Sequence, residues 1–169
     1  MVEDNFTRGH ASGVPRSVGA GVTLEIRELG PAEFELWGDC AHALWPETAR
    51  DTLLAEIHAQ AGPGIGEARA WAAFRDGAPV GWAELGLRPY ANGCEDRPVA
   101  FLEAIWVAPE ARRNGVGRAL IRHLAGIARA DGRTELGSDA LLDNLVSHAA
   151  HRAWGFAETE RVVHFRLPL

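Results

Sequence analysis

The chain has 169 residues, 47% of them hydrophobic and 24% charged, with a formal net charge of −6. That length suits a domain that buries about two-thirds of its unfolded surface without staples, and the acidic balance excludes duplex nucleic acid as the main partner, because counterion displacement needs a basic face. Cys40 and Cys94 form no CxxC arrangement, so neither a zinc site nor a disulfide framework is indicated, a reducing cytoplasm is the expected compartment, and no apolar run reaches the length of a membrane span.

Residues 1–21 mix Gly, Ser, Pro and charges without the apolar core of a signal peptide, which predicts a flexible leader ahead of one domain over 22–169. From 22 to 29, Val22, Leu24 and Ile26 alternate with Thr23, Glu25 and Arg27, the period of a half-buried strand. Gly30-Pro31 then opens a helix with Phe34, Trp37, Cys40, Ala41 and Leu44 on one face, closed by Trp45-Pro46. A second helix is predicted over 47–61, carrying Leu53, Leu54 and Ile57 and broken by Gly62-Pro63-Gly64. Strands over 68–75 and 79–88 flank Asp76-Gly77, a hairpin signal.

The run 100–107 is too continuously apolar for a strand with one wet face and is expected to be buried on both sides. Glu103 interrupts it. A carboxylate there is costly unless it is paired or faces a polar cavity. After Pro109 the chain reads Arg112-Arg113-Asn114-Gly115-Val116-Gly117-Arg118. Small residues let backbone N–H groups approach an anion at a helix N-terminus, and the arginines add charge, which is the chemistry of a pyrophosphate cradle. A Walker loop would need Gly-Lys followed by Ser or Thr, and a dinucleotide fingerprint would need Gly or Ala at Leu120; both fail.

The helix opened by this loop is predicted over 114–130, followed by a strand near 134–138, a helix over 143–154, Gly155-Phe156, and a last strand over 158–167. The resulting order, β-α-α-β-β-β-α-β-α-β, predicts an α/β fold with a mixed (α+β) sheet and helices on both faces. The strands flanking the Arg/Gly helix are expected to be parallel neighbours, with ligand at their carboxyl ends.

Arg112-x-x-Gly115-x-Gly117 after a strand and turn resembles the acetyl-CoA loop of the GCN5-related N-acetyltransferases, and Asn144 followed by Gly155-Phe156 resembles a later segment of that family. Leu44-Trp45-Pro46, Tyr90-x-Asn92-Gly93-Cys94, Pro98-Val99, Phe101-Leu102-Glu103, Ser138-Asp139 and Gly155-Phe156-x-Glu158-Thr159-Glu160-Arg161-Val162 are similar to the aminoglycoside 6'-N-acetyltransferases. The resemblance covers the chain from about Thr23 onward. It implies transfer of acetyl from acetyl-CoA, the co-substrate, to the 6'-amine of a cationic aminoglycoside. It also implies cofactor contacts at the backbone of Ile105, Trp106 and Val107, at Arg112, Arg113, Asn114, Gly115, Val116, Gly117 and Arg118, and at Asn144. Substrate contacts are implied at Trp45, Tyr90, Glu103, Asp139 and Glu160. Thr48 is a further substrate-binding candidate, standing where some relatives carry His. A homodimer is also implied, since relatives pair through C-terminal strands.

The nucleophile must be the neutral amine, so one carboxylate has to accept its proton, directly or through water. Glu103 is assigned that role. His151, five residues before Gly155-Phe156 where many acetyltransferases place Tyr, is the candidate proton donor to the thiolate. Each has a structural alternative: an arginine pair for Glu103, a helix cap for Asp139, a solvent-facing strand for Glu160, and packing or capping for His151. His148 and His151 lack an H-E-x-x-H pattern, so no metal site is assigned. Two other functions stay open: acetylation of another amine, such as a polyamine or a peptide N-terminus, and CoA binding without catalysis.

Overall fold

Turn chemistry and alternation build the sheet from its hairpin outward in the computed structural model, which describes residues 23–168. The expected leader, residues 1–21, lies outside the described residues. Strands β2 (Ala68–Arg75) and β3 (Ala78–Arg88) are joined across Asp76 and Gly77, both at positive φ (51° and 78°), the mirror-image turn that matches strand twist. Strand β1 (Glu25–Glu28) adds to β2, and β4 (Val99–Val107) adds to β3, all antiparallel. Strand β5 (Leu136–Ser138) pairs with β4 in parallel, so the spatial order is β1-β2-β3-β4-β5. This is the mixed sheet that the sequence predicts.

Helices cover both faces. On one side α1 (Phe34–Leu44), entered through a 3-10 turn at Pro31–Glu33, and α2 (Arg50–Gln60) bury Trp37, Cys40, Leu53 and Ile57 against Phe74, Trp82 and Ala104. On the other, α3 (Val116–Ala130) buries Val116, Leu120 and Leu124 against Trp71, Leu85 and Leu102. Helix α4 (Leu145–Trp154) rests on α3 and the sheet through Trp154. Gly81 lets α3 approach closely: a Cβ there would stand 2.7 Å from the Val116 side chain.

Helix starts shift where backbone geometry overrides periodicity. Helix α3 starts at Val116 rather than 114, because Gly115 is left-handed at φ 82° and Arg113 lies at φ 61°. Helix α2 starts at Arg50 rather than 47, after a turn that bonds the Thr48 N–H to the Trp45 carbonyl at 3.0 Å. The predicted last strand is overturned. Residues 158–167 form no strand and lie exposed, despite their alternating apolar pattern. A strand needs a partner ladder, and β5, only three residues long, pairs on its β4 side alone among the described strands.

Gly117, expected to allow anion approach, also carries a packing duty: a Cβ there would stand 2.7 Å from the Trp154 ring. Gly117→Ala is therefore expected to cost about 1–3 kcal/mol by overpacking. Urea unfolding checks this, and Trp154→Leu in the same chain should recover part of the loss through coupling of the two sites.

Candidate active site

The cleft starts where β4 outruns its neighbour. Strand β5 pairs only with Ala100, Phe101 and Leu102, so residues 103–107 have no strand on that edge. The Ala108 N–H bonds the Val80 carbonyl toward β3 at 3.1 Å. Backbone groups alternate sides along a strand, so the Ile105 and Val107 N–H groups point to the opposite edge, where β5 has ended. Burial follows this geometry. Residues 99–102 are buried and 105–107 are half-buried, which corrects the expectation of a strand buried on both sides throughout.

The Arg/Gly loop closes over that edge. Arg112 Nε donates to the Val107 carbonyl at 3.0 Å, tying the loop to the strand end. Arg113, Asn114 and Gly115 are exposed, and Arg118 donates to the Ala153 carbonyl at 2.7 Å. No side chain caps the N-terminus of α3, so its first-turn N–H groups remain available to an anion. Free strand donors followed by uncapped helix donors and cationic side chains fit an extended pantetheine and its pyrophosphate. The Asn144 side-chain oxygen accepts from the Ser147 N–H at 3.0 Å and caps α4.

A bulge sets the acid of the cleft. Glu84 faces Ala104 and Leu85 faces Leu102, leaving Glu103 as the extra residue of β4. Its carboxylate meets Arg88 in a two-pronged pair, Arg88 Nε donating to Oε1 at 2.9 Å and the terminal nitrogen donating to Oε2. Gly86 leaves room, since a Cβ there would collide with this carboxyl. The structural alternative raised for Glu103 thus describes its contacts, yet the pair is not sealed: the side chains of Glu103 and Arg88 are 23% and 37% exposed. Arg88 also reaches Asp139 at 3.6 Å and lies 3.5 Å over the Phe101 ring.

Other sequence candidates sit around this centre. Trp45, half-buried at the end of α1, packs edge-on against Trp82 at 6.3 Å, and the nearby Thr48 carbonyl bonds the His42 ring at 3.0 Å. Tyr90 is exposed and donates its hydroxyl to Asn92. Glu160 is exposed, and Thr159 beside it lies against Gly93 in the turn after Tyr90. His151 is half-buried; Nδ1 contacts the Ser147 carbonyl at 2.8 Å and Nε2 contacts the Ser138 hydroxyl at 2.9 Å. A concavity of about 290 Å³ lies elsewhere, between Glu67, Leu85 and Asp131.

Two site residues escaped the sequence reading. Glu84, Gly86 and Arg88 alternate with Leu85 and Leu87 on β3, a polar face opposite Glu103 that the period-2 pattern already contained. Glu84 lines a smaller cavity with Trp37, Trp45 and Glu56 and accepts from the Trp37 indole. Its carboxyl is raised from the ordinary range to about 7: burial pushes it up, the Trp37 hydrogen bond partly offsets this, and the charge of neighbouring Glu103 adds to the rise.

The acetyltransferase (GNAT) family profile matches residues 30–156, and the chain belongs to that family. Aminoglycoside N(6')-acetyltransferase type 1 of Stenotrophomonas maltophilia is 43% identical over 145 residues, 85% of this chain and 93% of the relative. The enzyme of the same name from Salmonella enteritidis is 36% identical over 147 residues, covering 85% and 98%. Among solved structures, AAC(6')-Iy in complex with the bisubstrate analogue CoA-S-monomethyl-acetylneamine has a TM-score of 0.79 at 33% identity, covering 87% of this chain and 99% of that one.

The raised Glu84 carboxyl has a thermodynamic signature. Its proton is held more tightly in the folded chain than in the unfolded one, so the stabilisation is complete below the ordinary carboxylate range and is lost as pH rises through about 7. Urea midpoints should fall between pH 5 and pH 8, and Glu84→Gln should flatten that slope.

Proposed function

We propose that residues 22–169 form one acetyltransferase domain that moves the acetyl group of acetyl-CoA to the 6'-amine of cationic aminoglycosides. The observation that carries this reading is the adjacency of the free Ile105–Val107 edge to the Glu103, Arg88 and Asp139 cluster. The named relatives support the choice of acceptor.

In this reading the backbone of Ile105, Trp106 and Val107 aligns the pantetheine arm. Residues Arg112 to Arg118 hold the pyrophosphate through the α3 N-terminus, and Asn144, which caps α4, adds a cofactor contact. Acetyl-CoA supplies an activated thioester. Trp45 and Thr48 flank the sugar, while Tyr90, Asp139 and Glu160 receive its polar and cationic groups. Glu103 accepts the proton of the attacking ammonium, directly or through water; the neutral nitrogen then attacks the carbonyl carbon and gives up its second proton to water as the C–S bond breaks and the amide forms. An Ile105 N–H on the open edge meets the developing oxyanion, a contribution of about 10²–10³-fold. The departing thiolate takes the Ser138 hydroxyl proton while His151 Nε2 passes one to that oxygen. Ser147 holds the ring for that transfer.

Charge supports a polycationic acceptor, given the chain's net −6 and the carboxylates in the cleft. Exposed Val163, Phe165 and Leu167, together with the unpaired outer edge of β5, support a homodimer built through the C-terminal segments. Among the described residues no helix is long and apolar enough to cross a membrane, which accords with a cytoplasmic enzyme.

A thiol-release assay tests the activity. Turnover with kanamycin and little with spermidine is expected; spermidine turnover without kanamycin turnover would sink the reading in favour of another amine. Glu103→Gln should lower kcat by about 10²–10⁴-fold with CoA affinity kept, whereas unchanged turnover removes Glu103 as base. His151→Asn should lower kcat tenfold or more at unchanged acceptor KM; an unaltered kcat makes the ring a structural tie.

A further inference from the structure

Arg88 holds the carboxylates assigned to the acceptor. Its guanidinium makes the two-pronged pair with Glu103 on β4, reaches Asp139 beyond β5 at 3.6 Å, and lies 3.5 Å above the Phe101 ring. Arg88 comes from the carboxyl end of β3, on the same strand face as Glu84 and Gly86. Both oxygens of Glu103 are therefore engaged by one internal cation, which occupies a lone pair on each and weakens the carboxylate as a proton acceptor for the amine.

Resting on the acceptor reading above, we propose that Arg88 is a built-in competitor of the substrate ammonium, swinging off Glu103 and Asp139 when a cationic acceptor binds and returning when the product leaves. Its site at the strand end, 37% exposed, leaves the head group room to move toward solvent, giving up its stacking on Phe101 as it leaves the carboxylates. The exchange is cation for cation, so the carboxylates never face each other unpaired. Glu84 stands behind Glu103 on the neighbouring strand, which makes an unpaired Glu103 costly and a replacement cation necessary. Acetylation turns the ammonium into a neutral amide, so only Arg88 can then neutralise the pair. That asymmetry favours release of product over retention.

Calorimetric binding of kanamycin and of spermidine to the full chain tests this, with turnover measured alongside. Arg88→Met and Arg88→Gln should bind both polycations about five- to tenfold more tightly, a modest factor because the pair is partly screened, with unchanged CoA affinity. Arg88→Lys, which keeps the charge, should return binding toward the wild-type value. Weaker or unaltered polycation binding in both neutral variants overturns the proposal and makes Arg88 a support of the cleft. Tighter binding without kanamycin turnover in any form, wild type included, overturns the acceptor reading and leaves the competitor role standing. If neither polycation binds any form, both fall.

Discussion

A mismatch in strand length governs this molecule. Strand β4 runs from Val99 to Val107, but β5 accompanies it only as far as Leu102. Past that point one edge of a central strand carries N–H and C=O groups with no strand beside them, an arrangement that folded chains otherwise avoid by pairing or covering. The Arg112 side chain covers only the last of these carbonyls. The uncapped start of α3 lies just beyond, so one continuous line of backbone donors runs from strand edge to helix end. In the proposed reading, an extended ligand ending in phosphates meets that line with the dipole already oriented.

The second constraint is electrostatic. The bulge in β4 turns Glu103 toward the face that holds Glu84 and Arg88, and the β5 terminus brings Asp139 to the same place. Two acids on one arginine leave the cluster net negative, and an ionised Glu84 beside Glu103 adds to it, which suits a ligand with several positive charges. Pairing within the cluster limits its cost to the fold, since Arg88 supplies two hydrogen bonds to the most enclosed pair. Binding chemistry and folding chemistry therefore share the same side chains.

Much of this was legible in the residues. Asp76-Gly77 announced the hairpin, the apolar run around Glu103 announced the central strand, and the glycines of Arg112 to Arg118 announced the turn that opens α3. Three features were not legible, each for a physical reason. Gly117 looked like a backbone-approach glycine, but the ring it accommodates comes from Trp154, far along the chain. Arg88 and Glu84 belong to the site through a bulge, and a bulge shifts facing without leaving a mark in hydrophobic periodicity. Residues 158–167 have the alternation of a strand, yet alternation describes side chains and says nothing of whether a partner backbone is within reach.

Amide hydrogen exchange over residues 103–107, measured with and without CoA, bears most directly on the open edge of β4. Strong slowing confined to this stretch and to the first turn of α3 is the expected result. Unaltered exchange there, with protection appearing instead around Glu67 and Asp131, would contradict the account and move the cofactor to the other end of the sheet.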